Sequence, residues 1–204
     1  RSLRDRRVGY LEGHCVSYGS ATPYLPVTDL ARQLCGITEV DLPQGCGGKI
    51  QGYLREIGMA PEAGEPYVRQ LLGGQDEGEP LVGLSPQMRK AQTFAILRQA
   101  ILQSSQQQPL VIVVENLHWI DPTSEEYLAS LVENLAGAAI LLLTTYRPGY
   151  QPPWLGKSYV TQLALPRLTS RDSLAVVQSV WPSAPGLNQL TSVIVAKAAG
   201  NPFF

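Results

Sequence analysis

Apolar runs alternate with amphipathic segments along most of the chain, and this alternation predicts an α/β fold. Residues 110–114 and 138–143 are continuously apolar, and residues 8–16 are rich in strand-forming types. Apolar residues at helical spacing lie between and after these runs. Strands joined by helical crossovers form parallel sheets. We therefore expect a parallel sheet with helices on both faces.

The same pattern places the individual elements. Strands are expected at 8–16, 110–115, 138–146 and, from the alternation of Val160, Gln162 and Ala164, at 160–165. Helices are expected at 23–35, 50–57, 66–72, 85–103, 124–135, 169–180 and 187–199. Ser85 suits a helix cap, and Pro86 suits a first helical position. Residues 104–108 are expected to be a polar connector, and residues 73–83 a mobile surface loop.

Composition indicates an ordinary globular domain. The chain has 204 residues, of which 44% are hydrophobic and 16% charged, with a net charge of -1. Neither this charge nor any apolar run predicts contact with nucleic acid or a membrane. Cys15, Cys35 and Cys46 lack metal-ligand spacing, so we expect ordinary thiols in a reducing cytoplasm.

Glu115 ends the strand predicted at 110–115 and is the most informative position in the chain. Ligands of open α/β sheets bind at the carboxyl ends of the strands. A carboxylate at this edge can hold the Mg²⁺ of a bound ATP, directly or through water. The alternative is a carboxylate that only caps a neighbouring helix.

Asn116 follows Glu115, at a position where many nucleotide-hydrolysing α/β proteins carry a second carboxylate. That carboxylate polarises the attacking water. An amide orients water but cannot accept its proton. If Asn116 occupies this catalytic position, hydrolysis is expected to be slow. The alternative is a residue that simply ends the strand.

Arg147 directly follows the strand predicted at 138–146. It is therefore expected at the same edge of the sheet as Glu115. An arginine there can reach a γ-phosphate and respond to its presence. The alternative is a surface salt bridge.

Asp121 precedes Pro122 and Thr123, so its expected role is to cap the next helix rather than to bind metal. Trp119 is expected to fill space.

The phosphate-binding motif G-x-x-x-x-G-K-[ST] is not found in the 204 residues. Gly45-Cys-Gly-Gly-Lys49 lacks the spacing, the Ser or Thr, and the preceding apolar strand. The chain begins without Met and ends on Asn201-Pro-Phe-Phe204. We therefore expect a fragment of a longer polypeptide.

Taken together, these residues resemble the ATPase module of the signal-transduction ATPases with numerous domains (STAND), a branch of the AAA+ P-loop class. More narrowly, they resemble the ATPase regions behind bacterial class III adenylate/guanylate cyclase domains and in large transcriptional regulators. The resemblance covers nearly the whole chain. Its residues are Tyr10–Gly19, Pro23–Pro26, Val114–Ser124, Leu143–Pro148 and Gly200–Phe204.

The resemblance implies Mg²⁺ coordination by Glu115, a sensor role for Arg147 and an adenine contact by Pro202. It places the phosphate loop upstream of Arg1. Residues 1–168 would then be the core of a P-loop ATPase domain lacking its first strand and phosphate loop, and residues 169–204 the start of a helical subdomain. Family members usually carry Asp or Glu at the position of Asn116, and this departure puts hydrolysis in doubt.

The function implied by the resemblance is a nucleotide-gated switch in a multidomain bacterial signalling or regulatory protein. ATP and ADP would stabilise different packings of its domains. The expected partners are ATP, other domains of the parent chain, and further copies on activation. The parent is expected to be a slow ATPase and the fragment inactive. The alternative is a non-catalytic α/β scaffold with a decayed nucleotide site.

Overall fold

The structure is a computed structural model that describes residues 8–17, 23–38, 40–41, 45–74, 81, 83–180 and 187–202. The chain divides into two compact units, Arg1–Val160 and Thr161–Phe204. All of the described strands lie in the first unit. In the second unit, the described residues form two helices, α6 (Ser170–Val180) and α7 (Leu187–Ala198).

A parallel sheet organises the first unit. Its strands are β1 (Gly9–His14), β2 (Leu110–Glu115) and β3 (Ile140–Thr144), in the order β1-β2-β3. Both pairings of the central strand β2 are parallel, and they set His14 beside Glu115 and Val114 beside Thr144. The carboxyl ends of all three strands therefore meet at one edge of the sheet.

The described residues of this unit also form five helices, and their combination with the parallel sheet confirms the predicted α/β class. They are α1 (Leu25–Leu34), α2 (Gly47–Glu56), α3 (Pro61–Leu71), α4 (Pro86–Gln107) and α5 (Pro122–Val132). A short 3-10 turn, Leu117–Trp119, connects β2 to α5. The predicted cap of α4 is confirmed, because the Ser85 hydroxyl accepts a hydrogen bond from the Met88 N–H at 3.2 Å. None of the helices in the described part of the chain is long and apolar enough to cross a membrane.

The two faces of the sheet differ in burial. Ile112 and Val114 are fully buried, and they alternate along β2 with half-buried side chains that include Glu115. On the less buried face, Leu141 and Leu143 of β3 are 54% and 46% exposed. The apolar core therefore lies on one side of the sheet, between β2 and the helices.

Residues 160–165 do not form the predicted strand. They have no regular structure, and Leu163 and Leu165 are 80% and 93% exposed. An alternating pattern forms a strand only where a neighbouring strand and a buried face support it. The prediction of a strand here is wrong because neither support is present in the described structure.

Two helices are longer than predicted. α3 begins at Pro61 rather than at residue 66 and carries Pro66 in its interior. α4 continues through the expected connector to Gln107. In this extension, the Ser104 hydroxyl shares a 2.8 Å hydrogen bond with the hydroxyl of Tyr53. Part of the loop predicted at 73–83 lies outside the described residues.

The three cysteines are buried and form no disulfide with one another. Burial raises the pKa of both Cys15 and Cys35 to about 12. A thiol with so high a pKa is not ionised near neutral pH and is a poor nucleophile. Cys15 and Cys35 therefore contribute to packing rather than to chemistry.

Removal of the buried side chain of Ile112 tests whether β2 holds the core together. Ile112→Ala should lower the free energy of unfolding by about 2–5 kcal/mol, because it leaves a cavity at a fully buried position. Urea denaturation followed by circular dichroism measures this loss. Leu141→Ala, at a half-exposed position of β3, is the matched control and should lose clearly less. Equal losses would contradict the placement of the core.

Candidate functional site

The candidate site lies at the edge where the three strands end. Glu115 is the last residue of β2 and is half-buried. Its carbonyl oxygen accepts a hydrogen bond from the Cys15 N–H at 3.0 Å, just past the end of β1. The backbone of Glu115 is therefore fixed, while its carboxylate extends from the less buried face of the sheet.

The turn after β2 is attached to the segment that follows β3. The Asn116 N–H donates to the Thr145 hydroxyl at 3.0 Å, and the Leu117 N–H donates to the Thr145 carbonyl at 2.9 Å. Asn116 adopts the left-handed conformation, with φ 62° and ψ 42°. Asparagine enters this region more readily than most residues. The backbone therefore supplies a structural reason for an asparagine at this position.

Arg147 lies three residues beyond β3 and is exposed. Its guanidinium carbon is 5.2 Å from the centre of the Trp119 ring, which is within the range of a cation–π contact. The His118 ring lies 4.4 Å from the same indole. Burial, together with the nearby charge of Arg147, lowers the pKa of His118. Trp119 therefore supports the arginine, in addition to the space-filling role that the sequence predicted.

Asp121 caps α5, as predicted. Its Oδ1 accepts hydrogen bonds from the N–H groups of Thr123 and Ser124, at 3.1 and 3.0 Å. The side chain is 3% exposed. Because Oδ1 is committed to the helix N-terminus, Asp121 serves the start of α5.

Pro202 lies in the second unit, shortly after α7, which ends at Ala198. The preceding Gly200 has φ 80°, and its carbonyl accepts a hydrogen bond from the Leu168 N–H at 2.9 Å. Pro202 borders an apolar groove lined by Val177 of α6 and Ile194 of α7. The adenine contact expected for Pro202 stays a prediction.

Two polar residues of β1 join this edge, and sequence reasoning did not single them out. The Nε2 atom of His14 is 3.4 Å from Oε1 of Glu12. One ligand atom from each of Glu12, His14 and Glu115 lies within 4.8 Å of the other two. The sequence does contain a pattern that could have identified them. Polar residues alternate with apolar or small ones along 11–15, which puts Glu12 and His14 on one face of the strand.

The donor set at this edge suits a cation. Carboxylate oxygens are the hard ligands that Mg²⁺ prefers, and Glu115 presents one at the carboxyl end of the central strand. Glu12 adds a second carboxylate within the same 4.8 Å cluster. The Mg²⁺ coordination expected for Glu115 stays a prediction.

A parallel sheet ending in an acidic residue, with helices around it, is the architecture of P-loop nucleoside triphosphatases. The sequence profile of the AAA ATPase domain matches residues 1–143, and the chain belongs to that family. A segment of 74 residues is 40% identical to an uncharacterized protein of Rhizobium meliloti (strain 1021). That match covers 36% of this chain and only 7% of the relative's length. No solved structure matches the chain significantly.

The capping role of Asp121 can be separated from a ligand role by two substitutions. Asp121→Ala should lower the free energy of unfolding by about 0.5–2 kcal/mol, because it removes the acceptor at the start of α5. Asp121→Asn keeps an acceptor oxygen and should retain most of the stability. Urea denaturation of both variants provides the measurement. An equal loss in the two variants would contradict the capping role.

Proposed function

We propose that the chain is part of an ATP-binding switch module in which the bound nucleotide controls the output of a larger protein. The observation that carries this proposal is the position of Glu115. The chain belongs to the AAA ATPase family, and Glu115 is the last residue of its central strand. The segment that carries Arg147 follows the neighbouring strand at the same edge of the sheet. Ligands of parallel α/β sheets bind at that edge.

In this proposal Glu115 holds Mg²⁺ at the phosphate side of the nucleotide. The ion would neutralise charge on the phosphate oxygens. Glu115 suits that role because its backbone is fixed by the sheet and its carboxylate stays accessible. Most phosphate contacts in this class come from backbone amides of a loop that precedes a helix, and from its lysine. Because the 204 residues lack that motif, we expect them to bind ATP weakly by themselves.

Arg147 is the proposed sensor of the γ-phosphate. A ligand shifts a conformational equilibrium only through different interactions with the two states, and the γ-phosphate is the group by which ATP differs from ADP. The guanidinium now lies over Trp119. A cation–π contact at an exposed site contributes only about 0.5–1 kcal/mol, so a charged phosphate can compete for the arginine.

The kind of protein that would contain this module is proposed from the resemblance described above. We propose a multidomain bacterial signalling or regulatory protein of the cytoplasm. Its other domains and, on activation, further copies would be the partners, and Pro202 would contact the adenine. The matched relative supports a multidomain setting, because the match occupies a small part of a far longer protein.

A second candidate function is a non-catalytic scaffold that keeps the α/β fold for protein contacts. The observation that favours it is Asn116, which places an amide where hydrolysis needs a proton acceptor. The left-handed backbone at this residue weakens the scaffold hypothesis, because it accounts for an asparagine without any loss of function.

Arg147→Ala should reduce the discrimination between ATP and ADP in a protein that also includes the residues encoded upstream of Arg1. The wild type should bind the two nucleotides with different affinities, and the variant should bring the ratio of the two dissociation constants close to one. Isothermal titration calorimetry with each nucleotide measures this ratio. Arg55→Ala, on the exposed surface of α2, is the matched control. A ratio unaffected by Arg147→Ala would remove the sensor role.

Asn116→Asp should raise the rate of ATP hydrolysis in the same longer protein, because it supplies the missing proton acceptor. Aspartate also tolerates the left-handed conformation of this residue, so the turn should survive the change. Steady-state phosphate release gives the rate. Asn116→Gly also suits the backbone but adds no carboxylate, so it should not raise the rate. Equal rates for Asp and Gly would exclude a water-activating position.

A further inference from the structure

We propose that Glu12, His14 and Glu115 form a site for one Zn²⁺ ion that binds without any nucleotide. The site shares Glu115 with the function proposed above, but it rests on separate observations and needs neither ATP nor a phosphate loop.

The pairing of β1 with β2 brings the three ligands together. His14 pairs directly with Glu115 across the parallel strands, and Glu12 lies two residues before His14. Residues two apart on a strand point to the same face, and paired residues of adjacent parallel strands share a face. All three side chains therefore leave the sheet on its less buried face, at one end.

The separations suit a small ion. Tetrahedral zinc with bond lengths of about 2.0–2.2 Å holds its ligand atoms about 3.3 Å apart. His14 Nε2 and Glu12 Oε1 are already 3.4 Å apart, and the largest separation in the triad is within 4.8 Å.

The backbone under the ligands is held by α1. The side-chain amide of Gln33 accepts from the Glu12 N–H at 3.0 Å and donates to the Glu12 carbonyl. The Asp29 carboxylate accepts from the His14 N–H at 3.1 Å. On the other side, the Tyr10 hydroxyl donates to Oε2 of Glu12 at 3.2 Å, which leaves Oε1 directed at His14.

Each ring nitrogen of His14 has a carboxylate nearby. Its Nε2 faces Glu12, while its Nδ1 lies 3.7 Å from Oδ2 of Asp29. Histidine ligands usually direct their second ring nitrogen to a carboxylate, which orients the ring and increases its basicity. Asp29 therefore occupies the place of a positioning residue behind the ligand.

The ligand types favour zinc over magnesium. Imidazole suits zinc, whereas Mg²⁺ prefers oxygen ligands and several retained waters. Two carboxylates balance the charge of a divalent ion, and three protein ligands leave the fourth position of zinc open to water. The site therefore has the composition of an accessible zinc site rather than a closed structural one.

The first test is a zinc titration of the 204-residue chain in nucleotide-free buffer, by calorimetry against a competing chelator. We expect one Zn²⁺ per chain. His14→Ala and Glu12→Gln should each weaken binding by at least about tenfold, and Asp29→Asn by about tenfold. The side chain of His14 is 51% exposed, so its replacement should not disturb folding. His118→Ala, which removes the other histidine of the chain, is the matched control and should leave the affinity unchanged.

Absence of zinc binding, or binding that is the same in His14→Ala and the wild type, would overturn the proposal. X-ray absorption at the zinc edge is the second measurement: nitrogen and oxygen neighbours support the triad, and a sulfur neighbour contradicts it. ATP binding by the longer protein carrying His14→Ala separates the two proposals. The zinc site can fail while Mg²⁺-dependent ATP binding persists, and nucleotide binding can fail while the chain still binds zinc.

Discussion

The candidate site depends on the hydrogen bonding of β2 to a parallel strand on each side. This pairing buries Ile112 and Val114 and leaves Glu115 as the last residue of the central strand. It also fixes what surrounds the carboxylate, with His14 on one side and the Thr145 segment on the other. A shift of one residue in either pairing would move the side chains of the shifted strand to the opposite face of the sheet. The groups around Glu115 would then no longer lie together.

Much of this arrangement could be predicted from the order of residues. The continuous apolar run at 110–114 identified a buried strand, and the acidic residue after it marked the ligand edge of the sheet. The caps supplied by Ser85 and Asp121 are local, and local patterns were sufficient to find them. The family assignment rests on the same local motifs and is confirmed by the profile match.

The remaining features depend on contacts between distant residues. The pairing of His14 with Glu115 joins positions about a hundred residues apart, and no pattern within either strand specifies that register. The extension of α4 includes Ser104, whose hydrogen bond to Tyr53 joins residues 51 positions apart. Residues 160–165 were predicted to form a strand from their alternating apolar and polar residues. No partner strand supports them in the described structure, so the local pattern alone was misleading. The left-handed turn at Asn116 is equally hidden in the sequence, although it changes how that residue is interpreted.

The edge of the sheet combines two kinds of chemistry. Glu12, His14 and Glu115 bring two carboxylates and an imidazole together, while Arg147 contacts Trp119 close to the next strand. In the proposed function, the carboxylate of Glu115 and the guanidinium of Arg147 meet the two requirements of a triphosphate, since its charge must be neutralised and its terminal group recognised. An amide at Asn116 can orient water but cannot accept its proton, which agrees with the slow hydrolysis proposed above.

The most direct test of this account is the Mg²⁺ dependence of ATP affinity in the longer protein, with Glu115 and with Glu115→Gln. The substitution keeps the shape of the side chain and removes its charge. The account predicts that Mg²⁺ strengthens ATP binding to the wild type and that this gain is largely lost in the variant. The same Mg²⁺ dependence in both proteins would contradict the assignment of Glu115 and, with it, the proposed nucleotide site.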